Sequence, residues 1–262
     1  MKKIKWILAM VTLLAVVASG CGSKESTAGA SQLDRIKEAG VIRIAIEGAY
    51  PPYNYFNDQN VLEGFDVEVS NELAKRMGVK AELIATPWDS IIGSLVSDKF
   101  DIIVSSMTIT EERKQKVDFT DPYFYTGQVL FVPENSPIQD PAEVKGKKIG
   151  AQIGATASDV ATELGAEVVP YKTDYLGFED MAIGRIDGVI TDKGVGSSIS
   201  MEKNYPVKIV GDILLAEDAG ITLNKGQDAL REELNKHLAD MRKDGTFAAL
   251  SNKWFGRDIT VK

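Results

Sequence analysis

The sequence predicts an α/β fold built as two lobes of similar design. Short β-branched runs alternate along the chain with segments of helical periodicity, as in β-α-β units that form a parallel sheet covered by helices. This alternation occurs in two blocks, and the second block starts near Lys147. The pattern of 99–106 returns at 185–192, since each segment has a basic residue, an apolar residue, an aspartate, an apolar strand and two polar residues.

The first 20 residues are typical of a bacterial secretion signal. They begin with lysines, continue with an apolar run over 6–17 that is short for a membrane-spanning helix, and end in small residues. Cys21, the single cysteine, follows at the expected cleavage point, so that Ala-Ser-Gly-Cys resembles a lipobox. We expect a signal peptide over 1–20 and a lipid-anchored tether over 21–33, which holds the folded part outside the cytoplasm on a membrane. An ordinary signal peptide with an incidental cysteine is the alternative.

The first block is predicted to contain three strands and two helices. The strand over 41–46 is a β-branched run. The next helix is predicted from Asp66, a good N-cap, to a stop at Gly78, because apolar residues recur four apart between them. The remaining elements are a strand over 81–85, a helix over 90–98 and a strand over 101–105.

The second block repeats the alternation. A strand over 148–152 leads into a helix over 156–164, in which Thr156 and Asp159 match a capping box. The block continues with a strand over 167–170, a helix over 178–184 and a strand over 187–191. A last helix over 228–243 is predicted from leucines and a methionine that share one stripe.

Charge and composition exclude several functions. The sequence has 30 Lys and Arg against 38 Asp and Glu, a net charge of −8, which disfavours nucleic-acid binding because phosphates require clustered cations. One cysteine and one histidine disfavour a disulfide framework, a metal site and a Ser-His relay. We therefore expect no metal and no cofactor, and most hydrolytic chemistry is disfavoured.

Polar residues follow several predicted strands. Glu47 ends the first strand, Ser105 and Ser106 end the third, and Asp192 follows the last strand of the second block. In open parallel sheets, ligands bind outside the carboxyl ends of the strands. Ser106 and Asp192 occupy equivalent places in the repeated pattern, which predicts two strand ends that face each other across a cleft. Glu47 and Asp192 are each either an acid inside the cleft or an acid at the edge of the sheet, exposed to solvent.

Arg113 is the candidate anion-binding residue. It stands at the third position of a short helix capped by Thr110, where a cation is unfavourable for the helix dipole unless it faces an anion. A guanidinium can hold a carboxylate through two parallel hydrogen bonds, which lysine cannot reproduce. The alternative is a surface arginine paired with Asp118 or Glu112.

Three further positions carry weaker signals. Tyr50 lies beside two prolines and Trp88 follows a third, so that each is either a core residue or a wall of a pocket. The segment 154–156 opens a helix whose free N–H groups suit an anion. His237, at the edge of the apolar stripe of the last helix, is predicted to be structural.

Together these segments resemble the extracytoplasmic amino-acid-binding proteins of bacterial ABC importers, family 3 of the solute-binding proteins. The resemblance runs in order through segments at 47–53, 64–68, 87–89, 105–113, 118–123, 184–187 and 244–246. It implies the type II periplasmic-binding-protein fold, in which two Rossmann-like lobes are joined by two crossover segments, here near 125–128 and 211–216. The implied lobes are 34–125 with 214–262, and 126–213.

The resemblance also implies roles for the candidate residues. Arg113 looks like the family arginine that holds the α-carboxylate of the ligand, helped by the backbone N–H groups of Thr108 and Thr156. Asp192 looks like the acid that accepts the α-ammonium, with Ser106 and Thr108 as neutral partners. The expected ligand-binding set is Glu47, Tyr50, Trp88, Ser105, Ser106, Thr108, Arg113, Thr156 and Asp192.

The implied function is capture of a free L-amino acid by a monomer that delivers it to an ABC permease, without catalysis. Tyr50 and Trp88 look like the walls around the ligand side chain. Glu47 resembles the acid that meets the distal cation in relatives with basic ligands, which favours arginine, whereas the surrounding motif also occurs in relatives that bind glutamine or cystine. Two alternatives stay open: a cyclohexadienyl dehydratase on the same fold, with Glu47 as general acid, and a ligand-sensing receptor.

Overall fold

The computed structural model describes residues 31–262. The predicted signal peptide, the acylation of Cys21 and most of the predicted tether lie outside the described residues. Within 31–262, no helix combines the length and the apolar character that crossing a bilayer requires.

Helices and strands alternate along the described chain. The helices are α1 Gln32–Ala39, α2 Phe65–Met77, α3 Trp88–Val96, α4 Glu111–Lys114, α5 Thr156–Glu163, α6 Asp174–Ala182, α7 Lys193–Lys203, α8 Asp228–Lys243 and α9 Thr246–Phe255. The strands are β1 Val41–Ile46, β2 Ala49–Tyr50, β3 Asn54–Phe56, β4 Leu62–Glu63, β5 Lys80–Ala85, β6 Ile102–Ile103, β7 Asp118–Pro133, β8 Lys148–Gln152, β9 Glu167–Tyr171, β10 Gly188–Asp192 and β11 Val207–Leu223.

The main sheet is mixed, with the order β5-β1-β6-β11-β7-β10-β8-β9, and β2, β3 and β4 form a small separate sheet. At one end β5, β1 and β6 are parallel neighbours, which we call the first half-sheet; at the other end β10, β8 and β9 are parallel neighbours, the second half-sheet. β11 and β7 lie between them and pair antiparallel with each other and with their neighbours β6 and β10. The predicted parallel pairing is therefore confirmed within each half-sheet, and the two central strands, for which no pairing is predicted, are antiparallel.

The two central strands connect the half-sheets. β7 and β11 pair from one end to the other, with register shifts between Val210 and Leu215 and on both sides of Gly220. The crossover segments that the resemblance implies, near 125–128 and 211–216, fall inside these strands. The limits of the two lobes stay a prediction.

Apolar residues of both half-sheets are covered by helices. Ile91 and Leu95 of α3 pack in one cluster with Ile103 of β6. Val160 of α5 packs in another cluster with Ile190 of β10. Burial of these side chains fixes the positions of the strand ends, at which the predicted polar residues lie.

Some element limits differ from the predicted ones. α3 begins at Trp88, directly after Pro87, and α6 begins at Asp174, four residues before the predicted start. β6 is reduced to Ile102–Ile103. α9, which follows α8 after Gly245, is not predicted from the sequence, because a glycine at this position indicates only the end of a helix.

α1 begins inside the predicted tether. The hydroxyl of Ser31 accepts a hydrogen bond from the N–H of Asp34 at 3.2 Å, and the Asp34 carboxylate accepts one from the N–H of Ser31 at 3.1 Å. This reciprocal pair is a capping box, which stabilises a helix start. Residues 32 and 33 of the predicted tether therefore belong to this helix.

Asp66 does not cap α2. The N-cap is Gly64, which makes no side-chain bond. The fully buried carboxylate of Asp66 accepts hydrogen bonds from Asn54 Nδ2 (2.7 Å), Ser106 Oγ (2.8 Å) and Tyr123 OH (2.7 Å). The predicted N-cap is wrong because these three partners, distant in the sequence, occupy the carboxylate.

Candidate functional site

A cavity lies between the two half-sheets. It is lined by Glu47, Tyr50, Trp88, Ser105, Ser106, Thr108, Arg113, Gln128, Gln152, Ala155 and Thr156. Its volume is about 20 Å³, which gives room for about one water molecule. A wider cavity of about 780 Å³ adjoins it and shares Trp88, Arg113, Ala155 and Thr156.

Eight of the nine predicted site residues line this cavity, and the exception is Asp192. Gln128, Gln152 and Ala155 line it without having been predicted. Gln152 ends a parallel strand, the same signal that selects Glu47, so the sequence contains the means to find it. Gln128 lies within the central strand β7, and Ala155 has no polar side chain, so no sequence signal marks either of them.

Arg113 lies buried between the half-sheets. Thr110 caps α4 as predicted, accepting a hydrogen bond from the N–H of Arg113 at 3.2 Å. Nη1 of Arg113 donates to the carbonyl of Thr108 at 2.9 Å, and Nη2 donates to the carbonyl of Gly154, beyond β8, at 3.0 Å. The residue is 9% exposed, which excludes the alternative of a surface arginine.

The guanidinium of Arg113 keeps donors for a ligand. A guanidinium has five N–H groups, and the two carbonyls described above occupy two of them. Its Cζ lies 5.3 Å from the centre of the Trp88 ring, which supports it through a cation–π contact. Burial lowers the pKa of Arg113 and the charge of Glu217 opposes this shift, while arginine stays protonated in proteins. The site therefore presents a fixed cation with free N–H groups, which suits a carboxylate.

Glu47 is the acid that lines the cavity. Its N–H donates to Ser105 Oγ at 3.0 Å, and its carboxylate accepts a short hydrogen bond from Gln152 Nε2 in the second half-sheet. Burial, followed by the charge of Asp174, raises the pKa of Glu47 to about 8, against the opposing effect of Gln152. Glu47 therefore holds a proton at neutral pH unless a cation lies beside it.

Ser106 is held by two hydrogen bonds, one to a residue of β7 and one to a residue of α2. Its backbone is in the left-handed region, with φ 52°. Its N–H donates to Tyr123 OH at 2.9 Å, and its Oγ donates to Asp66. The hydroxyl proton of Ser106 is therefore committed to Asp66, so that Ser106 offers a ligand its oxygen lone pairs.

Thr156 is the first residue of α5 and does not cap it. The N-cap is Ala155, which makes no side-chain bond, and the Thr156 hydroxyl donates a short hydrogen bond to the buried carboxylate of Glu217. The predicted capping box with Asp159 is wrong because Glu217 takes this hydroxyl. The first N–H groups of α5 are left without a side-chain cap beside the cavity, where they favour an anion.

Asp192 ends β10 as predicted, but it serves as the N-cap of α7. Its Oδ1 accepts hydrogen bonds from the N–H groups of Gly194 (2.7 Å) and Val195 (3.1 Å), and its Oδ2 accepts a short one from Thr126 Oγ1. Burial raises the pKa of Asp192 to about 6, against the hydrogen bond from Thr126. The carboxylate lies next to the central strand β7, although it does not line the cavity.

Buried acids outnumber cations around the cavity. Burial raises the pKa of Tyr50, and nearby acids raise it further. These acids are Asp192, Asp174 and Glu217. Glu47 is a fourth buried acid, and Arg113 is the one cation among the lining residues that the structure describes. Because burial raises the pKa of Glu47, Asp174 and Asp192, a positively charged ligand group beside them would favour their ionised forms. Across 31–262, no group of three or more His, Cys, Asp or Glu is placed to hold a metal ion.

Comparison with known proteins gives one family by sequence and by structure. The profile of the bacterial extracellular solute-binding proteins, family 3, matches residues 42–257. The L-cystine-binding protein TcyJ of Escherichia coli is 34% identical over 256 residues, which cover 96% of each chain. An ancestral arginine-binding protein bound to arginine has a TM-score of 0.78 and 39% identity, covering 83% of this chain and 99% of that chain. An ancestral amino-acid-binding protein described as a precursor of cyclohexadienyl dehydratase has a TM-score of 0.81 and 35% identity, covering 86% and 100%.

Proposed function

The chain belongs to family 3 of the bacterial extracellular solute-binding proteins and has their type II periplasmic-binding-protein fold, and from this premise we propose that it captures a free L-amino acid and delivers it to an ABC permease. The observation that carries the proposal is the position of Arg113. Its buried guanidinium is held by a carbonyl on the first-lobe side, that of Thr108, and by one beyond β8, that of Gly154. A ligand carboxylate at this cation contacts both sides of the cleft at once.

The ligand is held as a zwitterion. Arg113 takes the α-carboxylate together with the backbone N–H groups of Thr108 and Thr156, and Asp192 takes the α-ammonium, with Ser106 beside it. A ligand that lacks either charge leaves one of these groups buried and unpaired, which costs several kcal/mol and excludes simple acids and amines. Because the cavity has room for about one water molecule, the half-sheets separate to admit the ligand and close around it.

The preferred ligand is a basic amino acid, with arginine first. The buried acids support this choice, since Glu47 lies where the ligand side chain extends, Asp174 is a second acid near it, and a ligand cation would favour the ionised form of both. The likeness to an ancestral protein bound to arginine supports it as well. Cystine and glutamine come next, because a relative with 34% identity is an L-cystine-binding protein. Tyr50 and Trp88 form the walls around the side chain.

The protein acts outside the cytoplasm as a lipid-anchored monomer. Removal of the signal peptide 1–20 leaves Cys21 as the acylated N-terminus, which holds the folded part at the periplasmic or outer side of the membrane. The membership in a family of extracellular proteins supports the location. The two lobes, 34–125 with 214–262 and 126–213, close on the ligand, and the closed form docks on the permease.

A thermal-shift screen tests the proposal. The plate holds the twenty common amino acids with ornithine and cystine, and a ligand at about 100 times its Kd stabilises the protein by about 2.7 kcal/mol. We expect the largest shift with L-arginine. Arg113→Ala is the control: it should respond to no amino acid, while urea unfolding without ligand shows that it is folded. Wild-type protein that no amino acid stabilises would contradict the proposal.

A dehydratase is the second candidate, and the protonated state of Glu47 favours it. A carboxyl with a pKa of about 8 is a competent general acid at neutral pH. Asp192 argues against it, because a ring dicarboxylate without an ammonium gives this acid no partner. Incubation with prephenate, followed optically for product, distinguishes the two functions; turnover that Glu47→Gln abolishes would establish the enzyme.

A further inference from the structure

One buried acceptor at the cavity has no donor. Gln128 lines the cavity from β7 and is 3% exposed. Its Oε1 makes no hydrogen bond to any residue of the described chain. A buried carbonyl oxygen without a donor is costly, and most such groups in folded proteins have one. A ligand that brings an N–H group to this atom removes the cost.

Glu217 determines which end of the Gln128 amide faces away from it. Nε2 of Gln128 donates to Glu217 Oε2 at 2.8 Å. Turning the amide over would bring its carbonyl oxygen against the carboxylate, and neither atom has a proton to donate. The Thr156 hydroxyl gives its proton to the other oxygen of Glu217, so that it cannot serve Oε1 either. The amide nitrogen is therefore fixed on Glu217 and the oxygen is left as an acceptor.

Gln128 is also the direct neighbour of Asp192. The two residues are directly opposite each other in the antiparallel pair of β7 and β10. Opposite residues of such a pair carry their side chains on the same face of the sheet, with Cβ atoms about 5 Å apart. Asp192 already accepts hydrogen bonds from two N–H groups and from Thr126. A carboxylate has about four acceptor positions, so roughly one is left, whereas an ammonium has three N–H groups to place.

We propose that Gln128 Oε1 accepts a hydrogen bond from the α-ammonium of the ligand, and that Glu217 is the positioning residue that holds the amide in this orientation. The inference rests on the proposed function, since it assigns a further contact in the same site. The ammonium then has two neighbouring acceptors, the carboxylate of Asp192 and the carbonyl of Gln128. A ligand without an α-amino group leaves both without a donor, so that Gln128 adds to the selection of amino acids over simple acids.

A crystal structure of the wild-type protein with L-arginine tests the contact. We expect the α-nitrogen about 2.7–3.2 Å from Gln128 Oε1, the range of a hydrogen bond. A separation above about 4 Å, or an Oε1 bonded to water instead, would overturn the assignment and leave the proposed function intact. If the screen identifies another amino acid, that one replaces L-arginine. If it identifies none, the proposed function fails and the inference fails with it.

Calorimetric titration of variants with L-arginine tests the roles of the two residues. Gln128→Met keeps the length of the side chain without its acceptor and should lose about tenfold in affinity or more. Gln59→Met, in an exposed loop, is the matched control and should bind as the wild type does. Glu217→Gln should lose affinity in the wild-type background and much less in the Gln128→Met background, because Glu217 acts through Gln128.

Two outcomes of the titration would contradict the inference. Unchanged affinity in Gln128→Met removes Gln128 from the site. Equal losses from Glu217→Gln in both backgrounds show that Glu217 has a merely structural role or acts only through its charge. Urea unfolding of each variant, without ligand, separates a loss of affinity from a loss of folded protein.

Discussion

Among single residues, Glu47 determines how the charge of the site responds to a ligand. Burial raises its pKa to about 8, so that it is protonated at neutral pH when no cation is near. A guanidinium beside the carboxyl favours its charged form. A cationic side chain that binds there below pH 8 therefore displaces a proton from Glu47, whereas a neutral side chain does not.

We predict that the affinity for L-arginine relative to L-glutamine increases as the pH rises from 6 to 8, by at most about tenfold per pH unit. The ratio removes the effect of Asp192, whose pKa is about 6, because both ligands carry an α-ammonium and respond equally to it. Calorimetry at pH 6, 7 and 8 measures the two dissociation constants. Glu47→Gln should make the ratio depend less on pH, with only Asp174 left to titrate near the ligand cation. A constant ratio in the wild type would show that Glu47 does not meet the ligand cation.

The residues found from the sequence share a local signal. Glu47 and Ser105 stand at the carboxyl ends of strands, and Arg113 stands at an unfavourable position in a capped helix. Residues whose role depends on distant parts of the chain give no such signal. Asp66 satisfies the local rule for an N-cap, yet its partners come from three other segments, and Gln128 depends on a strand that lies about ninety residues further on.

Among the helices, α2 and α3 contain two glycines that separate backbone strain from packing. Gly78 ends α2 with φ 73°, in the left-handed region. Gly93 lies within α3 and does not have a left-handed φ. A Cβ built at either glycine meets nothing within 4 Å, so that neither position is restricted by neighbouring atoms. A difference between the two alanine variants must therefore come from the backbone.

We predict opposite effects of alanine at these two positions. Gly78→Ala should lower the free energy of unfolding by about 1 kcal/mol, because a Cβ is strained at positive φ. Gly93→Ala should raise it by up to about 1 kcal/mol, because alanine favours a helix interior over glycine. Urea unfolding measures both. Effects of the same sign would contradict the assignment of the difference to backbone conformation.

The order of strands and helices along the sequence predicts each half-sheet well. It does not predict how the two half-sheets are connected, and the central strands β7 and β11 show why. Within a half-sheet, every parallel strand carries a short apolar run that the sequence displays, as in β1 and β8. β7 and β11 extend over 16 and 17 residues that include Pro122 and Gly211, which are typical of turns. Each is held extended by its pairing with the other, about a hundred residues away, and no local pattern reports such a partner.

At the scale of the whole molecule, several buried acids with raised pKa values lie in and around the candidate site. Burial raises the pKa of Glu47 to about 8 and that of Asp174 to about 7. It raises the pKa of Asp192 to about 6, and that of Asp66, beneath Ser106, to about 6. Each of these acids keeps its proton in the folded protein at pH values at which the unfolded chain has released it. Unfolding therefore releases protons, which couples the stability of the molecule to pH.

We predict that the protein without added ligand loses stability as the pH rises from 5 to 8. A group with a raised pKa in the folded state binds more protons there than in the unfolded chain, so that the free energy of unfolding falls with pH between the two pKa values. Exposed acids with a lowered pKa, such as Asp244 at about 2, contribute a constant amount above pH 5. Urea unfolding at pH 5, 6, 7 and 8 should show a fall of a few kcal/mol.

Two comparisons connect this pH dependence to the cleft. Asp174→Asn removes one of the titrating groups and should flatten the fall between pH 5 and 7, the window below the pKa of about 7 in the folded protein. Saturating L-arginine should stabilise the protein more at pH 8 than at pH 5, because its guanidinium favours the ionised form of Glu47. Stability that rises over this range would contradict the raised pKa values, because it would mean that folding lowers the pKa of the acids on balance.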